Sequence, residues 1–199
     1  MCYYCDILES ATFNVKVLDP RAKIPSKREE DSGYDIYGII DEDYLLIAPN
    51  TNVIIGTGLA MEFPKGLGLI VGNRGSVGTK SAVVGAHVID SGYRGEVKID
   101  LHNISNKNII ITDILSKEEL FKCMLSKLSK VVGKFYAESA VEVILDKEPT
   151  LIPKSCALTQ GMIIPTWHLP VNVVESLSES TRMEGSFGST NKIKLKKNT

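Results

Sequence analysis

An uninterrupted apolar stretch of ~18 residues, the length a bilayer-spanning helix needs, occurs nowhere in these 199 residues. The opening Met1–Asp6 also lacks a basic-then-apolar leader pattern. No membrane partner is expected, and the chain is read as soluble, intracellular and cytoplasmic, with a nuclear or viral-infected-cell location left open. Charge of one sign is missing as well: 23 Lys and Arg oppose 24 Asp and Glu, a net of −1. A balanced surface offers no broad attraction for a nucleic acid, so no nucleic-acid partner is expected and any phosphate recognition must be local. Cysteine is scarce. Cys2 and Cys5 form a Cys-x-x-Cys pair, but Cys123 and Cys156 stand apart and supply no second knuckle, so reduced thiols are expected rather than a zinc site.

What is present begins with punctuation. Pro20, Pro25, Pro49, Pro64 and many glycines separate short apolar or alternating runs at Phe13–Leu18, Tyr44–Ile47, Val53–Ile55, Leu67–Val71, Glu96–Leu101, Ile109–Ile111, Val141–Leu145 and Met162–Ile164. Strands this short and evenly spaced suggest an all-β barrel or sandwich rather than βαβ units. One stretch differs. From Ser116 to about Ser139, Leu120, Phe121, Met124, Leu125, Leu128, Val132 and Phe135 recur at three- and four-residue steps, with lysines on other faces. Ser116 followed by Glu119 makes a capping box. An amphipathic helix is therefore expected over about 116–139, inserted in a β chain, either as a lid on its own domain or as a surface for a protein partner. The organisation expected is a single domain over 1–199, with that insertion and a flexible arm over about 179–199.

The arm carries Arg182, Gly185, Phe187, Gly188, Ser189 and Thr190. Such a string builds a core poorly and suits an anionic nucleotide. Glycines let backbone N–H groups approach phosphate oxygens, a guanidinium grips them by two parallel bonds, and a ring stacks on a base.

Four further segments share this polar, glycine-rich character: Asp31-Ser-Gly-Tyr-Asp35-Ile36; Gly72-Asn-Arg74-Gly75-Ser76-Val-Gly78; Ala86-His-Val-Ile-Asp90-Ser-Gly92-Tyr93-Arg-Gly95-Glu96, read as a hairpin turning near Ser91-Gly92; and Leu158-Thr-Gln160. Five such motifs in this order resemble the trimeric deoxyuridine triphosphatase family, over roughly Val15 to Thr190 apart from the helical insertion. The third and fifth motifs are the specific ones.

The resemblance implies a distorted jelly-roll-like β-barrel with one inserted helix, assembled as a homotrimer whose active sites each draw on more than one subunit. It also implies hydrolysis of dUTP to dUMP and diphosphate. Asp90 would orient and deprotonate the water that attacks the α-phosphorus. Tyr93 would lie beneath the deoxyribose and exclude a ribose hydroxyl. Backbone groups of Val84 to Val88 would read the uracil edge; His87 there is given no catalytic role. Arg74, Gly75 and Ser76 would serve the α and β phosphates, Arg182, Ser189 and Thr190 the β and γ phosphates, and Phe187 with Gly188 would close over the base. Gln160 would donate to phosphate or steady the loop, and Asp35 would stand in the outer hydrogen-bonded shell around the metal and the phosphate cradle. Magnesium (Mg2+) is the implied cofactor, held by triphosphate and water with no direct protein ligand.

Departures from the family pattern are specific. Arg-Ser-Gly of the second motif is here Arg74-Gly75-Ser76, which moves the hydroxyl one place along. The fourth motif has Ser155-Cys156 in place of Gly-Asp, and the fifth has Met183 and Asn191 at frequent glycine positions. Two other readings stay open. Deoxycytidine triphosphate deaminases share the fold and carry a glutamate ten residues beyond the hairpin aspartate, where this chain has Asp100; the Arg182–Thr190 segment is of the triphosphatase type. The inserted helix with altered motifs also fits a nucleotide-gated regulator that binds protein.

Overall fold

The computed structural model describes residues 12–179; Cys2, Cys5 and the fifth motif from Arg182 to Thr190 lie outside them. Eleven strands fall into three sheets. The first orders β1 (Asn14–Val17), β4 (Asn52–Glu62), β8 (Glu96–Asn103) and β6 (Ala82–Val84) side by side. The second orders β2 (Tyr34–Ile36), β11 (Thr159–Pro165), β5 (Leu67–Asn73) and β7 (Val88–Ile89). The third orders β10 (Thr150–Ile152), β9 (Ile109–Thr112) and β3 (Tyr44–Ile47), with β10 parallel to β9. The fold is all-β and jelly-roll-like, as expected, but the sheets of the described residues are not closed into a barrel. Consecutive strands β6 and β7 pair with β8 and β5 respectively, so the chain crosses between sheets at 85–87 instead of completing a ladder.

Period-two burial places the core. Along β8, Val97, Ile99 and Leu101 are fully buried, while Lys98, Asp100 and His102 take the opposite face. Those inward residues share a cluster with Ile36, Ile55, Leu59 and Val71 from the other strands and with Leu158 just ahead of β11. Strand β9 shows why Ile109-Ile110-Ile111 is an unbroken apolar run. Ile109 and Ile111 enter this core, whereas Ile110 points to the other side, into a second cluster with Leu120, Met124, Val141 and Leu145. Both faces of β9 are covered, so both must be apolar.

The helices supply that second cover. A one-turn helix α1 (Gly75–Gly78) follows β5, and α2 (Lys117–Val132) and α3 (Lys134–Asp146) lie between β9 and β10. The Ser116 hydroxyl accepts from the Glu119 N–H at 3.4 Å, as the capping box predicts. The single helix expected over 116–139 is two helices, because Gly133 stands at φ 84° and ψ 153° between them, a backbone region essentially restricted to glycine. The break resets the helical phase: Phe135 is 78% exposed, and Ala137, Val141 and Leu145 become the buried stripe. The strand expected at Val141–Leu145 is thus part of α3, since a five-residue apolar run reads alike in a strand and on a buried helix. Gly133→Ala is expected to destabilise the protein by about 1–3 kcal/mol through strain at this angle, seen as a lower urea midpoint; an unchanged midpoint would mean that the break does not depend on glycine.

Residues 168–179 belong to a second unit and contain no helix or strand. No helix among the described residues is long and apolar enough to cross a membrane.

Candidate functional site

Three neighbouring strands bring three of the motifs together in a cradle. Gln160 of β11 is the register partner of Asp35 on β2 and of Gly72 on β5, which puts the first, second and fourth motifs in one row. Directly opposed residues of antiparallel strands project to the same face. Asp35 and Gln160 therefore rise together, and Gly72 leaves room beside them. From there β5 runs into Asn73 and Arg74. Gln160 Nε2 donates to the Asn73 carbonyl at 2.9 Å, and Arg74 Nε donates to Asp35 Oδ1 at 3.0 Å. Arg74 Nη1 also donates to the Ser76 hydroxyl. The hydroxyl displaced along the second motif thus lands on the guanidinium it accompanies.

Asp35, Arg74, Ser76 and Gln160 line a cavity of about 890 Å³ with Ser26, Lys27, Arg28, Asp31, Ser32, Gly33 and Gly75. Arg28 grips Asp31 through Nε at 2.9 Å and Nη2 at 3.0 Å, and this fork holds the Asp31 carboxyl below its usual range. Three cations, Lys27, Arg28 and Arg74, face two carboxylates there, an excess that suits a polyanion. Lys27 and Arg28 went unread in the sequence; their signal was a basic pair just ahead of the first motif.

The third motif makes a different wall. The Tyr93 N–H donates to the Asp90 carbonyl at 3.0 Å, closing a tight turn over Ser91-Gly92 as expected. Its flanks do not form the expected hairpin with each other. Strand β7 pairs with β5, and β8 pairs with β4 and β6, so the flanks diverge into separate sheets. Between them opens a cavity of about 210 Å³ lined by Ala86, Val88, Ile89, Asp90, Tyr93, Glu96 and Lys98. Tyr93 Oη donates to the Glu96 carbonyl at 3.0 Å, and the ring lies against Gly95, where a Cβ would come within 2.5 Å of that oxygen. Glycine at 95 is what lets the ring settle.

Val84 ends β6 and lines neither cavity; its N–H donates to Asn73 Oδ1 at 2.7 Å. Asp100, on the outer face of β8, accepts from Asn52 Nδ2 at 2.7 Å and lies 3.0 Å from His102 Nε2. The bonds from Asn52 and His102 hold its carboxyl below the usual range, which keeps it an ionised acceptor near neutral pH.

The structure therefore sorts the expected residues into two groups. Asp35, Arg74, Gly75, Ser76 and Gln160 line one cavity, and Val88, Asp90 and Tyr93 line another that shares no residue with it. Arg182, Phe187, Gly188, Ser189 and Thr190 lie outside the described residues.

Sheets wrapped about a main core, with the polar motifs gathered at strand ends and turns, define a jelly-roll-like β domain. The dUTPase family model matches residues 20–114, which include the first three motifs. A deoxyuridine 5'-triphosphate nucleotidohydrolase of Nautilia profundicola is 29% identical over 182 residues, spanning 89% of this chain and 97% of that protein. Its counterpart in Picosynechococcus sp. is 28% identical, spanning 87% and 94%. The chain thus carries a segment that matches the dUTPase family over residues 20–114 and is similar to dUTP nucleotidohydrolases over most of its length. Its fold is also that of the Staphylococcus bacteriophage 80alpha dUTPase solved with dUpNHpp, at a TM-score of 0.63 and 20% identity over 90% of this chain and 98% of that one. A mutant dUTPase of phage phi11 of S. aureus, whose structure details the coordination of a structural Mg(II) ion, aligns at a TM-score of 0.57 and 20% identity over 84% and 99%.

Among the described residues, no three His, Cys, Asp or Glu side chains cluster as a metal cage. Both carboxylates of the cradle engage arginines, Asp31 with Arg28 and Asp35 with Arg74. This donor set suits a metal carried on phosphate oxygens and water rather than one gripped by the protein.

Proposed function

We propose that the protein is a dUTP diphosphatase that works as a homotrimer, releasing dUMP and diphosphate. The observation that carries this reading is the division of its motifs between two cavities with no common residue. A phosphate cradle without a base, and a carboxylate turn without a cradle, are each half of a hydrolytic site. Joining the cradle of one protomer to the turn of the next makes a whole one.

In that site the triphosphate lies against Arg74, Gly75 and Ser76, with Lys27 and Arg28 adding positive charge. Asp90 accepts a proton from the attacking water as its oxygen approaches the α-phosphorus, and diphosphate leaves. Arg74 neutralises charge on the leaving group, and its bond to Asp35 sets its direction. Bound magnesium supplies further charge neutralisation on the phosphate oxygens. Tyr93, seated on Gly95, occupies the space a ribose 2'-hydroxyl would need, which selects deoxyribose by exclusion. The arm residues Arg182, Ser189 and Thr190 complete the β and γ contacts, and Phe187 stacks over the uracil with Gly188 beside it, a stacking worth ~1–3 kcal/mol.

The test is product analysis with the purified full chain and magnesium. Diphosphate and dUMP are expected from dUTP, with UTP and dCTP turned over at least ~100-fold more slowly. No diphosphate from dUTP would reject the reading, and ammonia from dCTP would replace it with deamination.

A further inference from the structure

The crossing at 85–87 joins two strands of different sheets, so one ladder ends at Gly85, the other begins at His87, and neither runs through Ala86. The β8 residue Asp100 spans the gap. Asp100 receives the Gly85 N–H on its main-chain carbonyl at 2.9 Å and the Ala86 N–H on Oδ2 at 3.3 Å. The same carboxylate is fixed from the far side by Asn52 on Oδ1, at 2.7 Å, and by His102 beside Oδ2, at 3.0 Å. Register explains the convergence. Asn52 stands opposite His102 across the β4–β8 pair, and His102 lies two residues from Asp100 on one face of β8.

The crossing passes very close to this network. A Cβ at Gly85 would lie 2.3 Å from His102 Nε2 and 2.5 Å from Asp100 Oδ2, so only glycine allows the approach. Beyond Ala86, His87 Nδ1 lies 2.7 Å from the Gly85 carbonyl, and the Val71 N–H donates to the His87 carbonyl at 2.8 Å. Ala86 then forms part of the wall that also carries Asp90 and Tyr93.

We propose that Asp100 is a positioning residue for base recognition: with Asn52 and His102 it sets the shape of the Gly85–Ala86–His87 crossing that presents backbone groups to the uracil edge. The inference rests on the dUTP diphosphatase reading above. It gives Asp100 a role other than the acid of a deaminase, since its oxygens are spent on Asn52, Ala86 and His102. A buried or half-buried carboxylate that accepts backbone N–H groups fixes loop geometry before ligand arrives, and preorganisation of that kind appears in binding more than in the chemical step.

The experiment compares Asp100→Ala, Asp100→Asn and Gly85→Ala with the unaltered protein, using dUTP and dCTP and measuring diphosphate and ammonia. For Asp100→Ala, KM for dUTP is expected to rise about 10-fold and the preference for dUTP over dCTP to fall, with kcat within ~3-fold. Gly85→Ala is expected to shift KM in the same direction by displacing the crossing, and it keeps the idea open to refutation if Asp100→Ala fails to fold. Asp100→Asn retains an acceptor for the Ala86 N–H and is expected to recover most of the wild-type KM. An Asp100→Ala or Gly85→Ala protein that folds with wild-type KM and base preference would overturn the proposal, as would equal losses in the Asn and Ala variants. Ammonia release from dCTP that disappears in Asp100→Asn would overturn it in favour of acid–base catalysis. An unaltered protein inert toward dUTP would instead remove the reading on which the proposal rests.

Discussion

Asp90→Asn is expected to lower kcat for dUTP by about 10²- to 10⁴-fold while nucleotide binding stays within a few-fold. The turn that holds position 90 is closed through its main-chain carbonyl, which accepts from the Tyr93 N–H at 3.0 Å. Substituting the side chain leaves that bond, the Tyr93–Glu96 bond and the seat on Gly95 in place. Asparagine has nearly the shape of aspartate but cannot take a proton from water at neutral pH. Any loss therefore falls on the chemical step. Single-turnover diphosphate release, with titration by a non-hydrolysable dUTP analogue, separates the two quantities. Turnover at the wild-type rate would remove Asp90 from the mechanism. Loss of binding in parallel with turnover would make it a ligand-holding group instead.

Much of the fold was legible because its signals are local. Alternation along Glu96–Leu101 marked β8, the run Tyr44–Ile47 coincides with β3, and Ser116 with Glu119 marked the start of α2. What could not be read depends on partners distant in sequence. Val141–Leu145 looked like a strand because its burial is decided by Ile110, and the four-residue step from Ala137 through Val141 to Leu145 has meaning only after Gly133 resets the phase. The motif around Asp90 showed its turn but not that the flanking segments part into different sheets, since nothing local states that Val88 and Ile89 pair with Ile70 and Leu69. In the candidate site, motif order carried the cradle well: Asp35, Gly72 and Gln160 meet as register neighbours. Asp100 could be singled out by its spacing from Asp90, but its partners could not. A single acidic residue on an outward strand face looks solvated until Asn52, His102 and the crossing at Ala86 are brought against it.

Mixing two inactive variants is expected to restore activity. Arg74→Ala removes the guanidinium that spans Asp35 and Ser76 in the cradle, and Asp90→Asn removes the carboxylate from the other cavity. In the proposed homotrimer each variant alone spoils every site. In a ring where each site takes its cradle from one protomer and its turn from the next, random assembly of equal amounts leaves about one quarter of the sites with Arg74 from an Asp90→Asn chain and Asp90 from an Arg74→Ala chain. Co-expression of the two variants under different affinity tags, followed by selection for both tags, isolates the mixed trimers for diphosphate assay. Every mixed trimer then holds one intact site in three, so recovery far above the sum of the separate variants is expected, at about one third of the unaltered activity. A chain that built its whole site from its own residues would give no recovery in any mixture, because no single chain would hold both groups. That outcome would end the shared-site reading even if dUTP were hydrolysed, and sedimentation of the same sample would tell it apart from a failure to form mixed trimers.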